Sequence, residues 1–140
     1  MKIWLLNTFR DAAWAPITVF IFYAIAARGF NAYLSYPWLD IPTHFFGGLA
    51  MSYFFLAASR HAEPVLGVIA PFVQALLSLG LTALTAIAWE FLEFASDALL
   101  GTKMNLGVAD TLADLLFGLL GGVVMVGLSR RAAFAPLTKN

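Results

Sequence analysis

Four apolar stretches, residues 12–30, 41–59, 71–100 and 108–128, dominate this chain. Each is close to or above the ~20 residues that a helix needs to cross a bilayer. In hydrocarbon every backbone N–H and C=O must find its partner within the segment, so stretches of this kind fold as helices. Only 11% of the residues are charged and 61% are hydrophobic, with a mean hydropathy of +0.85. Soluble domains carry about a quarter charged residues, so this chain has too few to cover a water-facing surface. The expected fold is an all-α bundle of four transmembrane helices, forming a single domain over residues 1–140.

Net charge is zero and there is no cysteine. The first gives no footprint for nucleic acid. The second excludes disulfides, thiolate nucleophiles and Cys-ligated metals. Ala24-Ile25-Ala26 has the small-residue pattern of a signal-peptidase site, and cleavage there would remove residues 1–26. Arg10-Asp11 interrupts the run, however, and Trp14 and Pro16 are poor signal-core residues, so a retained first helix is expected. With the N-terminus in the cytoplasm, Lys2, Arg10, Arg60, Arg130, Arg131 and Lys139 fall inside, and only Arg28 and Lys103 fall outside. This distribution obeys the positive-inside rule and places both termini in the cytoplasm. Tyr33, Tyr36, Trp38 and Trp89 then form an outer aromatic belt, and Trp4 and Trp14 an inner one. Val65 to Ala70, between Pro64 and Pro71, is expected along the inner interface.

Six of the eight acids lie in or beside the apolar segments: Asp40, Glu90, Glu93, Asp97, Asp110 and Asp114. A carboxylate at the centre of a membrane helix costs roughly 2.5–3.5 kcal/mol on insertion scales. The topology sends all six to the outer end, together with His44. Pairs at i,i+4 (Asp40/His44, Glu93/Asp97, Asp110/Asp114) and at i,i+3 (Glu90/Glu93) share helix faces. Gly47 and Gly48 follow His44, and Gly118, Gly121 and Gly122 follow Asp114. Small residues let membrane helices pack backbone to backbone, which would bring His44 within reach of Asp114; the same faces could instead pair two copies in a homodimer.

No buried lysine or arginine is present to neutralise these acids, so protonation, hydration or a bound cation must do so. Carboxylates with one imidazole suit Zn, Mn or Fe, and carboxylates alone suit Mg. The expected metal ligands are His44, Glu90, Glu93, Asp110 and Asp114, with Asp40 and Asp97 at the mouth. Blander roles exist for several of them. Asp110 and Asp40 fit as helix N-caps, Asp97 as an exposed interfacial residue, and His44 as a satisfied core histidine. His61, between Arg60 and Glu63, reads as a solvated loop residue.

His44-Phe45-Phe46-Gly47-Gly48, Trp89-Glu90-Phe91-Leu92-Glu93-Phe94 and Gly101-Thr102 with Asp110-Thr111-Leu112-Ala113-Asp114-Leu115 resemble the signature blocks of the YjdF-like bacterial inner-membrane proteins. The likeness covers residues 40–122, and a weaker one extends to VanZ-like proteins. It implies a multi-pass protein of the bacterial inner membrane and carries over the same five residues, His44, Glu90, Glu93, Asp110 and Asp114, without attaching a reaction to them. The chain is shorter than those proteins, as a minimal core needing a partner copy would be. It has Ala109 where they often have tryptophan, and Lys103-Met104-Asn105 where they tend to have Gln-Gly-Asp.

Three functions follow. The first is a metal-dependent hydrolase or transferase acting on a membrane lipid or lipid phosphate, with Glu90 or Glu93 as general base. The second is a structural protein stapled by its metal. The third is a proton or cation transporter using Ser78, Thr82 and Thr85 as a track, a line of residues that reads more readily as a helix-packing seam.

Overall fold

The computed structural model describes residues 2–134, with the side chains of Lys2 and of residues 130–134 left out. Among the described residues every regular element is helical: α1 (Lys2–Ala12), α2 (Trp14–Ala24), a π-helical turn (Ile25–Gly29), α3 (Ala32–Ser35), a 3-10 turn (Pro37–Leu39), α4 (Asp40–Leu66), α5 (Pro71–Leu100) and α6 (Val108–Phe134). Three helical stretches, Pro37–Leu66, Pro71–Leu100 and Val108–Ser129, are long and apolar enough to cross a membrane. Ile3–Ala12 and Trp14–Gly29 supply a fourth span if the bent pair is counted as one. The side chains of Lys2, Arg130 and Arg131, and the whole of Lys139, lie outside the described residues, so much of the basic pattern behind the expected orientation has no structural counterpart here.

The first segment departs from a continuous helix over 12–30. Helix begins already at Lys2, and the axis bends by 52° beside Ala13. Pro16 is the cause: it has no N–H to return to the carbonyl four residues back, and its ring crowds that carbonyl. Ala13 and Ile17 keep their bonds, to Phe9 O and Ala13 O, on either side of the break. The bend lays both halves against α4, through Phe9 on Phe54 and Trp14 on Tyr53, with ring centroids 5.4 and 5.8 Å apart.

The second segment runs to Leu66 rather than ending at residue 59. His61 is therefore a helical residue, not a loop residue, and its Nε2 lies 3.2 Å from Asp11 Oδ2. Only residues 67–70 separate α4 from α5, with Gly67 in a positive-φ conformation. The third segment matches the expected bounds, starting at Pro71, where the missing N–H is harmless.

α4 and α6 make the closest helix crossing. A Cβ on Gly48 would run into the carbonyl of Gly118, and one on Gly121 into the carbonyl of Phe45. This backbone-to-backbone contact needs the absence of side chains there. Gly47, by contrast, would meet nothing. Below the crossing, Ser52 and Ser78 are fully buried. Their hydroxyls bond each other at 2.8 Å, and Ser78 also donates to Ser52 O at 2.9 Å. Ser52 Oγ lies 3.3 Å from Gly122 O, so this pair joins all three long helices.

Candidate metal centre

α4 and α6 start, and α5 finishes, at one end of the bundle, and the glycine crossing pulls that end together. His44 lies at its centre. Its Nε2 is 3.4 Å from Asp40 Oδ1 and 3.9 Å from Asp114 Oδ1, and its Nδ1 is 3.9 Å from Glu90 Oε1. The imidazole thus stands between two acidic sets, one facing each ring nitrogen. Two groups offer ligand atoms within 4.8 Å of one another: Asp40, His44 and Asp114, and His44, Glu90 and Glu93.

Burial separates these acids from ordinary interfacial ones. Asp114 is 1% exposed, Glu93 2% and Glu90 7%. Both oxygens of Glu90, Oε2 of Glu93 and Oδ2 of Asp114 are buried without a hydrogen-bond partner. Glu93 Oε1 accepts one bond, from Trp89 Nε1 at 2.9 Å. Trp89 is half-buried against the rings of Phe20 and Tyr23, which holds its indole N–H toward Glu93. Leaving a buried polar group without a partner costs about 1–3 kcal/mol, and more if it is charged, so four such oxygens around one imidazole call for a proton or a cation.

Two expected site residues are turned elsewhere. Asp97, placed at the mouth by sequence, binds the α5–α6 loop: its carboxylate accepts the Thr102 hydroxyl and the backbone N–H groups of Met104 and Asn105. Asp110 accepts the N–H of Leu106 at 2.9 Å, in the first turn of α6, and belongs to neither constellation. Asn105 completes the loop by accepting the N–H of Gly107 and donating to Thr111. Gly101 and Gly107 take the positive φ values, 67° and 116°, that let the loop close. Asp40 moves the other way. Its position before Ile41-Pro42 suggested a cap or mouth, yet it is the acid nearest to His44. The i,i+4 spacing of Asp40 and His44 was the available signal for that contact.

Across residues 2–133 the chain matches the family model described as "Predicted membrane protein (DUF2238)". The chain belongs to this family. A relative from Thermotoga maritima, described as "Uncharacterized protein", is 29% identical over 114 residues, which cover 78% of this chain and 56% of the relative. The chain therefore spans about half the length of that relative. No solved structure matches.

Proposed function

We propose that the acidic end of the bundle binds a divalent cation and uses it on the polar head of a membrane lipid or lipid phosphate, at the outer face of a bacterial inner membrane. In this reading the chain is a short relative of the YjdF-like proteins. The observation that carries it is the set of buried, partnerless oxygens of Glu90, Glu93 and Asp114 around His44. Uncompensated carboxylates in a low-dielectric site need a cation or a proton, and an imidazole among them favours Zn, Mn or Fe over Mg. His44 through Nδ1, with Glu90 and Glu93, would hold the ion, and Asp40 and Asp114, both on the Nε2 side, would orient the imidazole, as carboxylates behind metal-bound histidines do. Asp110, bound to the loop, is outside this set. A bound divalent ion supplies Lewis acidity or an activated water. Whichever of Glu90 and Glu93 keeps a free oxygen is the general base.

A structural metal is the second reading, because the ligands and the carboxylates behind them come from α4, α5 and α6 and would tie all three together. A cation path receives less support. Ser78 is tied up in the interhelical pair with Ser52, and Thr85 bonds Leu81 O within its own helix, as in a packing seam.

Elemental analysis of the purified protein, loaded in turn with Zn, Mn, Fe and Mg, tests the centre beside Glu93→Gln and His44→Ala. Near-stoichiometric metal in the wild type is expected, with affinity in each variant falling by at least the ~10–100-fold typical of losing even an outer-shell partner. Metal-free wild type after loading overturns the reading. If metal binds and chelation lowers thermal stability, while His44→Ala leaves membrane lipid composition unchanged, the metal is a staple.

A further inference from the structure

Beside the acidic centre a cavity of about 410 Å3 runs between α2, α4 and α5. α2 packs along α4 and reaches α5 through the rings of Phe20 and Tyr23 on Trp89, leaving a slot beneath them. Its walls run from His44 to Met51 on α4 and from Trp89 down to Thr82 on α5. Eight residues of helix on each side, seven rises of ~1.5 Å, make it about 10 Å long. Ile17 and Phe20 line it on the α2 side, and Gly47 widens it by having no side chain.

The polar groups along this slot are already engaged away from it. Thr43 donates to Leu39 O, Thr85 donates to Leu81 O, and the Trp89 N–H goes to Glu93. Thr82 Oγ1, at the deep end, is the exception. What remains is apolar surface that meets the acidic centre at one end, through His44. A slot of this shape fits an amphiphile, with its charged head at the centre and its hydrocarbon chain below.

We propose that this slot binds one hydrocarbon chain of the membrane lipid whose head is held at the His44–Glu93 centre. The proposal rests on the reading of that centre as a site for a lipid head, and it is tested by a different measurement. Gly47 provides the means: a Cβ there would meet no atom, so a larger side chain fills the slot without disturbing the α4–α6 crossing. Ile17→Trp fills it from the opposite wall, at a position that is 53% exposed.

The experiment uses the full chain in liposomes containing phosphatidic acid with a diazirine midway along one acyl chain, with adducts mapped by mass spectrometry. Adducts are expected to concentrate on Met51, Ile17 and Ala86, relative to the outward-facing Phe91 and Phe94, which report contact with bulk lipid. Gly47→Leu and Ile17→Trp are expected to abolish the slot adducts, leave those on Phe91 and Phe94 unchanged, and keep the wild-type metal content. Slot residues labelled no more than Phe91 and Phe94, or slot labelling that survives both plugs, overturns the proposal. Slot labelling that persists in a chain that binds no metal fails the cation reading and leaves the chain-binding slot standing.

Discussion

The two ends of the bundle treat their acids in opposite ways. At one end Asp11 is joined to Arg10 at 2.9 Å and to His61 at 3.2 Å, and Glu63 accepts Gln74 Nε2 at 2.8 Å and lies 3.4 Å from the N–H of Ile69. These groups are partly open to their surroundings, and each has found a partner. At the other end Glu90, Glu93 and Asp114 are buried, with oxygens that nothing in the chain satisfies. The difference teaches that the presence of acids in apolar segments is a weak sign of a site. Acids that the fold buries and leaves unanswered are the stronger sign, because no group within the chain offsets their desolvation cost.

The largest effect is expected at the helix crossing. Gly121→Val places a branched side chain against the Phe45 carbonyl, and overpacking of this kind costs about 1–3 kcal/mol, occasionally more. Thermal unfolding in detergent is expected to show that loss, and metal content should fall with it, because α4 and α6 separate at the His44–Asp114 end. Retained metal would mean that the centre does not need the crossing.

A sharper form of the test uses matched substitutions at the two ends in chelator. Glu90→Leu removes a buried carboxylate without partners and should stabilise the metal-free protein by about 1–3 kcal/mol. Glu63→Leu removes the shorter of the two hydrogen bonds that the buried Gln74 amide donates, leaving the one to Ile69 O, and should destabilise by ~1 kcal/mol. Opposite signs support the contrast, and the same sign at both ends removes it. The smallest effect is expected from Asp11→Asn. Its pairs are exposed, so the change should be within a few tenths of a kcal/mol in unfolding and nil in metal content.

Local chemistry explains which parts of the site were legible beforehand. His44, Glu90, Glu93 and Asp114 could be picked out because their spacing sets them on helix faces at one end of antiparallel spans, whatever the details of packing. Asp97 and Asp110 share that depth and spacing, so no periodicity distinguishes them. Their removal from the centre depends on where the 101–107 loop turns its N–H groups, which rests on the positive φ of Gly101 and Gly107 and on the amide of Asn105. The packing of Trp89 under Phe20 and Tyr23, and so its bond to Glu93, depends on how α2 docks and was not legible either.

The sequence by itself determined the all-helical class, the three long apolar helices and the end at which the acids gather. Length, hydropathy and the 3.6-residue period act within a segment and need no neighbour. Tertiary structure alone decided that α1 and α2 bend apart, that Gly48 and Gly121 rather than Gly47 carry the crossing, and which carboxylates end without a partner. Each of those outcomes depends on the distance between groups far apart in the chain, and close packing fixes that distance only once the helices have docked.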